Sequence, residues 1–519
     1  MRLGFGTICN LTLSAKRPAY RACLAAQASV RATRTSSPSW LWTSPQATRK
    51  ILRQSTGKIL RPSCSGGSAE KRGEQRARRV FRRSDEKRSL RRQRRRAGNR
   101  MTAEVALLNK SAVALAADST VTVGPDGSSK TYDTVNKLFT LSKYHPIGIM
   151  IYGNAEFMRH PWETIIKTYR ESCGKTPQDT VEKYAAHFCN HLQNFTVENE
   201  LVRQNTLSIV SSLFYAIKED VDDVILDADL VNIGEIRVVL KAAVLAELSA
   251  LKNIPQILTK TEADVIADYG AEIEHGASVI FGKWINSQIK QSLVNLATAQ
   301  IIKRRFSRHR SGIVFAGFGD TEFFPHLREF STDGVVMGEL KIAPSTILDI
   351  SPLGTQASIV PFAVRDMVDR FMEGVDRRYQ QWINRTVRNL FEANSLSIVE
   401  KYVTAPKSEK SKIKSAVKRA IAKNTERFFA DERKYRAKNF IDPVVNMLDL
   451  LPKEELAELA ESLIHLTSLK KRITMEVESV GGPIDVAVIS KGDGFIWVKR
   501  KHYFQPDLNQ SFIRNYLRG

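Results

Sequence analysis

From residue 102 onward the chain alternates short apolar runs with long stretches of helical spacing. The run TAEVALLNKSAVALAAD (102–118) carries β-branched and small apolar residues on both sides of Asn109-Lys110, which predicts two strands around a turn. A polar turn at Pro125-Asp126-Gly127, a strand over NKLFTLS (136–142), a turn at KYHP and a strand over IGIMIYG (147–153) follow. The segment therefore opens as four or five successive antiparallel strands. From Ala155 to about Arg310 the spacing is helical, as in IRVVLKAAVLAELSAL, where apolar residues recur every three or four positions. Strands return at SGIVFAGFGD (311–320) and GELKIAPSTILDIS (338–351), and helices are predicted from Ser358 to about Lys470. The chain closes on RITMEVES (472–479) and IDVAVISKGDGFIWVKRK (484–501), with a last hairpin turn at Lys491-Gly492-Asp493-Gly494. Strands, helices, strands, helices, strands: two antiparallel sheets with helices packed outside fit that order, an α+β class.

Composition changes the picture mainly at the start of the chain. Residues 1–100 hold 26 Lys+Arg against 4 Asp+Glu, so +22 of the net charge of +24 lies there, and no acid occurs before Glu70. Ser, Arg, Pro and Gly dominate with no apolar period, and no fold is expected. Three readings stand for residues 1–101. The Arg- and Ser-rich, acid-poor opening has the make-up of an organellar transit peptide. A nucleic-acid arm needs interleaved aromatics, and Phe81 is the only one in the densest basic run, so nucleic acid is not the expected partner. The preferred reading is translated upstream sequence with the start codon at Met101: Arg94-Arg95-Arg96 and Ala97-Gly98 are what a bacterial ribosome-binding site looks like when read as protein.

The body, residues 102–519, keeps only Cys173 and Cys189, which argues against a disulfide framework and for a reducing compartment. No apolar run approaches the ~18 residues that span a bilayer. A soluble, cytoplasmic protein without a membrane is expected.

Thr102 directly after Met101, the Asp118-Ser119 pair 16 positions later, Lys137 in VNKL and Gly153 in IYGNAE together resemble the proteasome β-type proteins of the N-terminal nucleophile hydrolase superfamily. The resemblance implies a four-layer αββα sandwich in which Thr102 is the nucleophile, its own α-amine is the base, Asp118 and Lys137 tune it, and the Gly153 N–H forms the oxyanion hole. Lys137 sits about three residues late, as a longer Pro-Asp-Gly loop would place it. Family propeptides end in Gly, whereas Met101 stands here, which fits an internal start whose methionine is removed to expose Thr102. Ser119, Glu476 and Ser479 resemble accessory positions. Phe318 stands where the family has a serine, and Val480 takes another serine's place before Gly481-Gly482. The body is about twice a typical family subunit, the excess lying in helical insertions near 205–310 and 378–448.

Three other patterns compete. HFCNH places His187 and His191 on one helical face at i, i+4 spacing with Cys189 between them, but without an acidic third ligand, so no metal is expected. DVDDVILDADL lacks the glycine and spacing of a calcium loop and reads as a solvated helix end. Ser415 and Lys418 fit a Ser-x-x-Lys pattern inside a polar insertion. The expectation is therefore a threonine-type hydrolase of peptide or amide bonds with no cofactor. The resemblance also implies a ring-like homo-oligomer and an unfoldase or cap as partner. The alternative is a catalytically silent structural member of the same group.

Overall fold

The computed structural model describes residues 103–123, 130–228, 230–474, 481–502, 504–511 and 514, within a unit spanning Ser65–Gly519. Met101, Thr102, the Pro125-Asp126-Gly127 turn, Glu476, Ser479 and Val480 lie outside the described residues.

Strands β1 (Ala103–Leu108) and β2 (Ala112–Ala117) form the first hairpin. β3 (Val121–Val123) and β4 (Lys130–Tyr132) make a short ribbon, and β5 (Leu138–Thr140) and β6 (Ile147–Gly153) a second hairpin. The two-residue strands β7 (Glu156–Phe157) and β8 (His160–Pro161) lead into helices α1 (Trp162–Cys173), α2 (Val181–Gln193), α3 (Asn199–Ala228), α4 (Ile233–Leu251), α5 (Glu262–Phe281) and α6 (Ser287–Ile302). Then come β9 (Ser311–Gly317), β10 (His326–Val336), β11 (Glu339–Asp349) and β12 (Ser358–Ala363). Helices α7 (Asp366–Glu373), α8 (Arg377–Tyr402), α9 (Lys407–Arg436), α10 (Asp442–Leu450) and α11 (Lys453–Ile473) precede the closing hairpin β13 (Asp485–Ser490) and β14 (Gly494–Lys499).

Two five-stranded sheets result, ordered β12-β1-β2-β13-β14 and β11-β10-β9-β6-β5, with every pair antiparallel. Period-two alternation divides each strand between two cores. Ala103, Val105 and Leu107 of β1 pack with Leu456, Ala460 and Leu463 of α11. Ala106 and Leu108 instead meet Met150, Val314 and Ala316 of the other sheet. The outer face of that second sheet packs on α1 and α2 through Ile149, Phe315, Tyr169 and Phe188. Both faces of the central strands are thus buried, which is why β1 and β2 read as nearly continuous apolar runs. Helices α3 to α6 build a further core of their own, into which Val336 and Met337 from the β10–β11 turn insert. The mixed α+β class expected from the sequence is observed.

The first hairpin turn is anchored by one buried side chain. Asn109 Oδ1 accepts from the Ser111 and Ala112 N–H groups (2.9 and 3.2 Å), and its Nδ2 donates to the Leu448 and Leu451 carbonyls (3.0 and 2.9 Å). It fixes the β1–β2 register to the α10–α11 junction.

Three expectations need correction, and one strand, β10, was not foreseen. Ser358–Ala363 is a strand, not the start of a helix; it lies at a sheet edge, where Pro361 lacks only an N–H that the position need not supply. β10 has no apolar alternation, because its buried polar residues find side-chain partners: Glu329 accepts from Tyr152 and Thr346, and Asp333 from Ser307. Arg472 and Ile473 continue α11 instead of opening a strand. Asp220 and Asp223 are buried within α3 and not at a solvated helix end. Among the described residues no helix is long and apolar enough to cross a membrane.

Candidate active site

The β1–β2 register puts Glu104 opposite Ala117, so Asp118, the next residue, lies beside Ala103. The Asp118 N–H donates to the Ala103 carbonyl at 3.1 Å, and the Ala103 N–H donates to Asp118 Oδ1 at 3.0 Å. Lys137 arrives from the other sheet. Its carbonyl accepts the Ile151 N–H at 2.9 Å, and its Nζ reaches Asp118 Oδ1 at 2.6 Å. The second carboxylate oxygen accepts the Gly481 N–H at 3.1 Å. Asp118 is fully buried and the Lys137 side chain is only 5% exposed. Removing two charges from water costs several kcal/mol per ion, so such a pair persists only with its hydrogen bonds satisfied. Here three donors converge on one carboxylate.

Ser119 donates its N–H to the Gly481 carbonyl at 3.3 Å and its hydroxyl to the Pro483 carbonyl at 2.5 Å. It thereby clamps the segment that carries Gly481. Gly153 ends β6 with φ 87°, and a Cβ there would stand 2.4 Å from the Arg310 carbonyl oxygen. Only glycine fits both the left-handed backbone and that close approach.

Lys137 and Gly153 share a cavity of 300 Å3, whose walls include Val121, Tyr152, Trp162 and Glu163. Burial alone would raise the Glu163 carboxyl, but hydrogen bonds from Lys167 (2.5 Å) and Asn136 (3.1 Å) hold it below the ordinary range, so it is a carboxylate. The cavity accordingly has apolar walls with a cation at one place and an anion at another.

Sequence reasoning missed three charged residues of this region. Glu104, two positions after Thr102, is buried, and its carboxylate lies 3.8 Å from Lys137 Nζ. Its signal was a single acid inside the otherwise apolar AEVALL. Asp485 accepts from the Lys501 N–H at 2.9 Å and pairs with the Lys501 ammonium. Burial lowers the Lys501 pKa, Asp485 opposes that shift, and the charges of Lys137 and Asp118 also reach it. Two lysines and three buried carboxylates thus gather where β1 begins and β2 ends.

The remaining expected positions separate from this cluster. Phe318 packs between the two sheets beside Leu327 and Ile350. His187, on α2, bonds the Tyr169 hydroxyl at 2.8 Å, and the Cys189 thiol is pushed up to about 12 by burial, with Glu182 adding to it. Ser415 donates to the Ser411 carbonyl on α9, and Lys418 pairs with Glu392 instead of with Ser415.

No family profile matches the chain, and no curated protein does. Among solved structures, the Anbu (Gly-1) mutant from Hyphomicrobium sp. strain MC1 aligns over 80% of this chain and 95% of that one, at 10% identity and a TM-score of 0.24. A likeness of that size carries no weight for function.

Proposed function

We propose that the protein is a proteasome-like N-terminal threonine hydrolase that cleaves peptide or amide bonds, with Thr102 as nucleophile. One observation carries the reading: the buried carboxylate of Asp118 holds both the Lys137 ammonium and the backbone N–H of the residue that follows Thr102. An acid and a lysine from different sheets, otherwise costly to bury, are fixed within one residue of the proposed nucleophile. The packing of two antiparallel sheets face to face with helices outside supports the αββα sandwich that this reading requires.

The chemistry runs as follows. The α-amine of Thr102, a group that titrates near ~8 when unperturbed, takes the hydroxyl proton directly or through a water. The Lys137 ammonium lowers the amine's pKa by like-charge repulsion and favours the developing alkoxide. Asp118 orients and balances that lysine. The hydroxyl oxygen attacks the scissile carbonyl, the Gly153 N–H meets the oxyanion, and the amine returns its proton to the leaving nitrogen. Water then hydrolyses the ester. A donor of the Gly153 kind contributes about 3–4 kcal/mol of transition-state stabilisation. A substrate side chain seats in the 300 Å3 cavity beside Lys137. Assembly into a ring-like homo-oligomer and service by an unfoldase or cap belong to the same proposal.

The test is a fluorogenic peptide panel assayed with wild type, Thr102→Ala and Thr102→Ser. Hydrolysis that vanishes in the alanine variant and is partly kept in the serine variant is expected. Equal hydrolysis by the alanine variant would exclude Thr102 and leave a silent, structural role.

A further inference from the structure

We propose that a second, larger cavity next to the reaction centre is a subsite for carboxylate groups of the substrate, so that acidic peptides are the preferred class. The cavity, 560 Å3, lies where α3, the segment joining α6 to β9, and the corner between β12 and α7 meet. That volume suits a ligand of a few residues. Seven cationic side chains line it against four carboxylates, Asp220, Glu247, Asp366 and Asp369.

Pairing sorts the cations. Arg305 is engaged by Glu247 at 2.5 Å, Arg377 and Arg365 share Asp369 at 3.3 and 3.9 Å, and Arg378 lies 3.6 Å from Asp366. Arg308 pairs with Glu219 at 3.1 Å, and Lys471 of α11 is engaged as well. Arg310 differs: it is half-buried, and among the described residues no hydrogen bond or ion pair is made by its guanidinium. A guanidinium presents donors in a planar fork that fits a carboxylate with two parallel bonds, and partial burial strengthens the attraction.

Position ties the cavity to the chemistry on two sides. Ala363, one of its wall residues, is the β12 partner of Ala103, the residue after Thr102. Its φ of 56° is a strained, left-handed value of the kind that gathers at functional sites. Arg310 stands at the other side: its carbonyl packs on Gly153 and accepts the Asn154 N–H at 3.4 Å. An extended peptide advances about 3.3–3.6 Å per residue, so a chain whose scissile carbonyl lies at Gly153 enters this cavity within a few residues.

The inference rests on the Thr102 reading for its neighbour but not for its ligand, so binding is measured apart from cleavage. The full chain carrying Thr102→Ala is titrated calorimetrically with Ala-Ala-Glu-Glu and with the uncharged Ala-Ala-Gln-Gln, both N-acetylated and C-terminally amidated, and wild type is assayed for hydrolysis of both. The acidic probe should bind about 10- to 100-fold tighter, with the preference falling as salt rises. Adding Arg310→Gln should erase it, and adding Arg310→Lys should restore part of it. An unchanged affinity of the Arg310→Gln protein for the uncharged probe shows that it is folded. Equal binding of the two probes, no binding of the acidic one, or a preference that survives Arg310→Gln overturns the proposal. So does complete displacement of the acidic probe by millimolar inorganic phosphate without acidic selectivity in hydrolysis, which would assign the cavity to a free anion. Arg310-dependent binding without any cleavage by wild type would contradict the hydrolase reading and leave the subsite standing. Cleavage without acidic preference would do the reverse.

Discussion

Ala103 and Asp118 hold each other through two hydrogen bonds: the Asp118 N–H to the Ala103 carbonyl, and the Ala103 N–H to the Asp118 carboxylate. Because that same carboxylate oxygen also receives Lys137 Nζ, the start of β1 and the lysine cannot move independently. The consequence is a rigid attachment point for the residue before Ala103.

Asp118→Asn should act on both stability and activity. It leaves the Lys137 ammonium buried without its nearest charge, a loss of about 3–5 kcal/mol for a broken buried pair. Peptide hydrolysis should fall by about 10²-fold or more, the usual worth of a positioned proton-transfer system. Urea unfolding and kcat measure the two. The double variant Asp118→Asn/Lys137→Met should regain stability without regaining activity; a single variant within 1 kcal/mol of wild type would contradict the geometry.

Gly153→Ala should be poorly tolerated. The added methyl meets the Arg310 carbonyl oxygen, and the backbone is held at φ 87°. A cost of about 1–3 kcal/mol is expected, together with a drop in kcat larger than any change in KM if the Gly153 N–H faces the oxyanion. Gly148→Ala is a control of another kind: its methyl would meet the side chains of Ile489, Leu115 and Phe495 in the inter-sheet core, and it should affect stability alone.

Asn109→Ala tests the anchor of the first hairpin. Four hydrogen bonds disappear, and one buried and one part-buried carbonyl at the α10–α11 junction lose a donor. About 2–4 kcal/mol of destabilisation is expected. Hydrogen exchange should show the effect first in β1 and β2.

Asp376, the N-cap of α8, offers a pH test. Burial works against its ionisation, but the Arg370 side chain and the Tyr379 and Arg378 N–H groups hold its carboxyl below the usual 3.8. A depressed folded pKa means that the stabilisation is present above 3.8 and is lost as pH falls through the lower, folded value. Asp376→Asn keeps the capping acceptor but not the charge. Its deficit of up to about 1 kcal/mol should be constant near neutrality and close in acid. A deficit that persists in the most acidic folded sample would contradict the assignment.

The legible and the illegible parts of the fold differ in physical kind. The β1–β2 hairpin showed in the sequence because apolar runs flank Asn109 and because both strand faces are buried. Asp118, Lys137 and Gly153 were found through a family resemblance and not through periodicity, and they stand around one cluster. Glu104 was passed over because one acid in a strand reads as a solvent-facing position, whereas here the opposing lysine comes from the other sheet, 33 residues along the chain. β10 hid behind its own polar residues, whose partners Tyr152, Thr346 and Ser307 are distant in sequence. Pro361 disguised β12 because a proline excludes central strands but not edges. Arg310 carried no local signal at all; its meaning comes from the cavity that α3, α7 and β12 close around it.

The most direct measurement is the identity and state of the first residue, by intact mass and N-terminal sequencing of protein purified from its native source. The account requires a chain of residues 102–519 that begins at Thr102 with a free α-amine. A chain that begins at Met1, or any residue or blocking group retained ahead of Thr102, would remove the proposed base and contradict the threonine-hydrolase mechanism.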